Sequence, residues 1–151
     1  MSTITSTSRV AARARWRVRA LAAVGATAAA LAVWALAKAF GGDLHQPSFA
    51  NGASQQLSAG TVIAAALIGS ALGWAVIGLL ERWTDHPRRI WAVGAPVALL
   101  VSLGAPLSGH GISAGNRLSL ILMHIAVAGV VIPLYHRTAV ERAASQGVGR
   151  S

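Results

Sequence analysis

Cysteine is absent from the 151 residues, which excludes disulfides, thiolate metal centres, Cys-ligated iron–sulfur clusters and thiol redox chemistry. Small four-helix membrane oxidoreductases that pass electrons from thiols to quinones are excluded with them. Charge is also scarce, at 11% of residues, against roughly 25% in ordinary soluble domains. Acidic residues are fewest of all, four against 13 Lys and Arg, for a formal net charge of +9. None of the four falls inside an apolar run, so the intramembrane carboxylate that favours proton-coupled export is missing. Nucleophile elbows, phosphate loops and metalloprotease motifs are missing too, and a haem held between two histidines would need a second intramembrane His.

What the chain has instead is hydrocarbon, with 54% of residues hydrophobic. A spanning helix needs about 20 mostly apolar residues to cross a 30 Å hydrocarbon layer. Four segments qualify, at about 20–40, 59–80, 90–107 and 118–135. The expected fold class is all-α, a four-transmembrane-helix bundle. Pro96, Pro106 and Pro133 do not veto these spans, because neighbouring groups in a membrane bundle can satisfy the carbonyls that a proline frees.

The basic residues sit at the edges of the apolar runs. Arg9, Arg13, Arg15, Arg17 and Arg19 precede the first, Arg82, Arg88 and Arg89 separate the second from the third, and Arg137, Arg142 and Arg150 follow the fourth. Only Lys38 and Arg117 fall on the other side. Cytoplasmic loops retain Arg and Lys, so both termini are expected in the cytoplasm. Without a basic groove interleaved with aromatics, the charge reads as topology and no nucleic acid partner is expected. Trp16, Trp83, Trp91 and Tyr135 lie at the expected cytoplasmic ends and read as interfacial anchors. An Arg-rich start followed by Ala35-Leu36-Ala37 also resembles a cleavable signal. The apolar stretch is longer than the usual signal core, and more spans follow it, so an uncleaved first span is the expectation.

The chain divides into a basic cytoplasmic segment at 1–19, a transmembrane domain at 20–135 and a cytoplasmic tail at 136–151. The Ser/Thr-rich residues 1–8 and the tail from about 143 are expected to be disordered. Arg9 to Arg19 suits a helix entering the first span. The long outer connection at 41–58 is the best candidate for a recognition surface, since connectors of that length are often functional.

Three groups of residues stand out. Gly69, Ser70 and Gly73 form a small-residue surface that lets helices approach closely, either within the bundle or between copies. His124 is the ionisable residue inside a span, a placement that often marks function. Counted at 1.5 Å per residue, it lies about 9 Å from the outer end of its helix and Ser102 about 8 Å from the end of the preceding one. A His124–Ser102 hydrogen bond in one polar layer is therefore expected. Lys38, Asp43, His45, His110, Asn116 and Arg117 should gather at the outer mouth. Asp43, His45 and His110 match no established metal spacing and lack a fourth ligand, so no metal and no cofactor is expected. Glu81, Arg82, Asp85, His86, Arg88 and Arg89 form a mixed-charge turn whose surface pairs are worth about 0 to 1 kcal/mol.

The stretch Ser102-Leu103-Gly104-Ala105-Pro106-Leu107, with Leu122-Met123-His124, Gly73-Trp74 and Leu79-Leu80-Glu81-Arg82, resembles a family of small actinobacterial membrane proteins classed as a domain of unknown function. The resemblance covers roughly Leu21 to Tyr135 and implies a four-helix bacterial plasma-membrane protein. It carries no activity. The expected function is a non-enzymatic accessory or lipid- or ligand-binding bundle, with the bilayer and either a second copy or another membrane protein as partner. The alternative is a small transporter or membrane enzyme using His124.

Overall fold

The computed structural model describes residues 3–46, 55–108 and 112–140, with side chains from Ala12 onward. The chain is all-α, as its apolar runs imply. The helices are α1 (Thr3–Ala39), α2 (Ala59–Trp83), α3 (Pro87–Ser102), α4 (Gly104–Ser108) and α5 (Ala114–Thr138). Among the described residues, four segments are long and apolar enough to cross a membrane: Ala12–Ala39, Ala59–Trp83, Pro87–Ser108 and Ala114–Thr138. Each contains or closely matches an expected span, and the last two exceed it at both ends.

The helix of α1 begins at Thr3, which corrects the expected disorder over residues 3–8 and erases any break between the basic segment and the first span, while residues 1–2 lie outside the described residues. Nucleation is the costly step of helix formation, and here the apolar span supplies a nucleus. The Ala and Arg between 9 and 20, both strong helix formers, extend it, and the Ser and Thr at 3–8 add a turn to a helix already formed. The expected disorder of the C-terminal tail lies outside the described residues.

Helix ends follow local chemistry. At the end of α1, Gly41 adopts φ 76°, its N–H donates to the Lys38 carbonyl, and the Gly42 N–H reaches back to Ala37. This pair of bonds satisfies carbonyls that the helix leaves open, and it needs a left-handed residue that Gly supplies most cheaply. Ser58 caps α2 by accepting from the Thr61 N–H, and Ser113 caps α5 by accepting from the Asn116 N–H. Pro106 lacks the N–H that would bond the Ser102 carbonyl, and its ring crowds that carbonyl. The third span accordingly divides at Leu103 into α3 and α4.

Helix α1 keeps small residues inside and large ones outside. Ala22, Ala26 and Ala30 of α1 are buried, whereas Leu21, Val24 and Leu36 of the same helix are exposed. An interior of Ala lets backbones approach closely, while the Leu and Val exterior suits hydrocarbon as solvent. Helix α1 packs most extensively on α5 and then on α2. The core forms two layers. One joins Ala22, Ala26, Ile77, Trp91, Val131 and Tyr135, and the other joins Ala30, Leu44, Leu57, Val62, Leu120 and Met123.

Candidate functional site: a lateral groove and two polar ends

Helices α2 and α3 are consecutive in the chain yet meet only sparingly, each leaning mainly on another neighbour, α1 for α2 and α5 for α3. Between them, floored by α5, runs a groove of about 630 Å³. Along α2 it extends from Thr61 to Leu80, about 28 Å at helical rise. That is close to the whole thickness of a bilayer's hydrocarbon layer. Gly69, Leu72, Val76, Gly94 and Ala98 line it and are exposed, so the groove opens sideways.

Both residues of the expected intramembrane polar site lie on this wall, together with Thr61. The expected bond between them is not formed. His124 Nδ1 lies 2.8 Å from the Leu120 carbonyl oxygen, and the Ser102 hydroxyl donates to the Leu99 carbonyl at 2.7 Å. A carbonyl three or four residues back on the same helix is always within reach. A partner on another helix must first be brought close, so the local bond wins. His124 is the one ionisable side chain among the lining residues.

The small-residue surface divides into two parts. A Cβ at Gly73 would sit 3.4 Å from both the Trp91 and Tyr135 rings and 3.6 Å from Val131, whereas one at Gly69 would meet nothing within 4 Å. Gly73 is therefore a packing residue and Gly69 part of the open wall. Ser70 is fully buried, and its carbonyl accepts from the Tyr135 hydroxyl at 3.0 Å. The Trp91 and Tyr135 rings are 5.9 Å apart and tilted by 37°, and the Trp91 indole N–H donates to the Ile132 carbonyl. Trp91 and Tyr135 are thus buried core residues and not the interfacial anchors expected of them. Trp16 and Trp83, at 51% and 78% exposure, keep the exposure an anchor requires.

At the loop end, Leu44 to Gln46 pairs with Gln55 to Leu57 through the Gln46-to-Gln55 and Leu57-to-Leu44 hydrogen bonds and an antiparallel His45–Gln56 bridge. The Trp34 indole N–H donates to the Leu57 carbonyl, which fastens this pairing over α1. Part of the expected outer cluster does assemble. Asn116 donates to the His45 carbonyl at 2.9 Å, and His45 Nδ1 lies 3.8 Å from Asp43. His110 lies outside the described residues. Among the described residues no ion pair joins Lys38 to Asp43, and no group of three or more His, Asp or Glu side chains is placed to hold a metal.

The opposite, basic end carries the arrangement that sequence reasoning missed. The Arg19 guanidinium reaches Glu81 at 2.6 Å and also donates to the Thr138 hydroxyl at 3.0 Å and the Thr138 carbonyl at 3.2 Å. Glu81 accepts in addition from the Val140 N–H, and Arg88 Nε donates to the Ala139 carbonyl. Two arginines from α1 and α3 thereby cap the end of α5, where carbonyls are open and cations are favoured. A signal was available. Glu81 sits in the last turns of α2, where the helix dipole disfavours an anion, and Arg19 continues the 22, 26, 30 stripe that turns α1 inward.

The fold and the groove define a class, a small polytopic bundle of apolar helices with a lateral opening. Within that class, the chain belongs to the family of unknown function DUF6069, whose model matches residues 10–141. No curated protein and no solved structure matches it.

Proposed function

We propose that this protein is a non-enzymatic, multi-pass plasma-membrane protein, with both termini cytoplasmic, that binds the hydrocarbon chain of a membrane lipid in the groove between α2 and α3. The observation that carries this reading is the groove itself. Its volume of about 630 Å³ lies within the 300–1,000 Å³ of typical ligand pockets, its length matches the hydrocarbon layer, and it opens where lipid is the surrounding solvent. Burying a chain there removes apolar surface from contact with a poorly packed gap and restores the dispersion contacts that the gap forfeits. His124, Ser102 and Thr61 toward the loop end supply a few polar atoms beside an otherwise apolar wall, the usual composition of a site that orients an apolar ligand. A proton-coupled transporter would need a titratable relay through the wall, and His124 by itself supplies one station of it.

The test is photocrosslinking of the full chain in nanodiscs that contain a phosphatidylcholine with a diazirine in its acyl chain. Adducts are expected to concentrate on the groove wall around Gly69, Gly94 and Ala98. Gly69→Leu with Gly94→Leu should reduce them about fivefold, because both positions have room for a side chain that would fill the groove. Adducts spread evenly over all outward helix faces would sink the reading. Loss of the groove adducts as the number of chains per nanodisc is raised would replace the lipid with a second copy.

A further inference from the structure

We propose that the basic end of the bundle holds a binding site for the phosphate of an anionic glycerophospholipid, built by Arg15, Arg88 and Arg137. A second pocket of about 440 Å³ lies between α1, the start of α3 and the end of α5, and it is lined by Arg15, Val18, Arg88, Arg137 and Thr138 among others. Three helices thus bring three arginines to one concavity. Arginine's planar fork is suited to phosphate oxygens, which it can bind through two parallel N–H donors.

Among the described residues, no acidic side chain forms an ion pair with the pocket arginines. Among the described residues the ion pairs are Arg19–Glu81 and His45–Asp43, and the three pocket arginines belong to neither. Glu81 comes close, since it accepts from the N–H of Val140 on the pocket wall, but its charge is answered by Arg19. The Thr138 hydroxyl is likewise occupied, accepting from Arg19 and donating to the Tyr135 carbonyl. Arg88 is held in place by its Nε bond to the Ala139 carbonyl, which leaves its two terminal nitrogens to a ligand. Helix α3 starts beside it at Pro87 with no acidic residue in its first turn, so the positive end of that helix adds to the field. Like charges gathered on one concavity repel one another, and a bound anion offsets the repulsion.

The residues around the site suit the level of lipid phosphates. Trp16, next to Arg15, is half exposed as an interfacial ring should be, and Val18 and Leu21 beyond it are exposed apolar residues on the same helix. A phosphate bound by the arginines would leave its acyl chains to run along that surface. This placement favours a lipid over free phosphate as the source of the anion, and basic pockets between membrane helices are suited to such headgroups.

The experiment is native mass spectrometry of the full chain in detergent, titrated with dioctanoyl phosphatidylglycerol, dioctanoyl phosphatidylcholine or inorganic phosphate. Phosphatidylglycerol should be retained and phosphatidylcholine should not. Arg15→Gln and Arg137→Gln should each weaken retention about fivefold, the factor that one arginine near a charged headgroup commonly carries. Arg13→Gln and Arg82→Gln remove the same charge from the same end but outside the pocket, and should change retention less than about twofold. Equal losses from the two pairs would reduce the effect to diffuse attraction and overturn the site. Displacement of the lipid by an equal concentration of inorganic phosphate would overturn the lipid assignment.

Discussion

Arg19 and Glu81 stand 62 positions apart in the chain and meet at 2.6 Å, with side chains 7% and 20% exposed. Their pairing joins α1 to α2, and the bonds from Arg19 to Thr138 bring α5 into the same knot. A guanidinium that satisfies a carboxylate, a hydroxyl and a helix-terminal carbonyl together closes the bundle at one end. The closure has a direct energetic consequence.

Removing one partner leaves the other charge poorly solvated. Arg19→Ala is expected to destabilise the protein by about 3 kcal/mol, in the range for breaking a largely buried pair. Glu81→Gln should cost less, because the amide can still accept a hydrogen bond. A double-mutant cycle of Arg19→Ala and Glu81→Ala, followed by thermal unfolding in detergent, should return a coupling above about 1 kcal/mol. Additive losses would mean that the pair is not an energetic unit.

Gly69 and Gly73 belong to the same small-residue pattern but should respond differently to substitution. Gly73→Leu pushes bulk into the Trp91 and Tyr135 rings, 3.4 Å from the Cβ position, and should cost about 1 to 3 kcal/mol through overpacking. Gly69→Leu enters open space and should stay within about 0.5 kcal/mol of the parent. Thermal melting of both variants in the same detergent checks the contrast, and a reversed order would place the close helix contact one turn too far along α2.

The Tyr135 hydroxyl is fully buried and donates to the Ser70 carbonyl. Tyr135→Phe keeps the ring that packs on Trp91 and loses only this bond, for an expected cost of about 1 kcal/mol. Tyr135→Ala also removes the ring and should cost about 3 to 5 kcal/mol. Near-ultraviolet circular dichroism should be retained in the first variant and diminished in the second.

The absence of cysteine makes the proposed orientation directly testable with single-cysteine variants. Ser113→Cys and Asp85→Cys introduce thiols at exposed positions at opposite ends of the bundle. A membrane-impermeant maleimide should label the first in intact cells and the second only after permeabilisation. Labelling in the opposite order would invert the topology.

The candidate site was legible in part. His124 and Ser102 stand out in the sequence as an intramembrane polar pair, since an ionisable group amid apolar neighbours is visible in one dimension and helical rise gives its depth, but the groove that both line is not visible there. Their mutual bond was not predictable, because the competing carbonyls of Leu120 and Leu99 are present in every helix and their advantage depends on how near the next helix comes. The aromatic anchors show the same division. Trp83 and Trp91 both flank the turn between α2 and α3, and their sequence context is alike, but only Trp91 faces Gly73, where its ring is enclosed.

The number of membrane-length segments and the concentration of positive charge at one end are properties of the sequence alone. They arise from runs of residues and from charges at the ends of those runs, and a hydrocarbon layer of fixed thickness reads such runs one at a time. The groove, the Arg19–Glu81 knot and the meeting of Arg15, Arg88 and Arg137 were decided only by the tertiary structure. Each depends on which helix another leans against, and that choice is made by pairwise packing. The Ala stripe of α1 draws in α5 and α2, α3 rests on α5, and the space left between α2 and α3 is the remainder of those contacts.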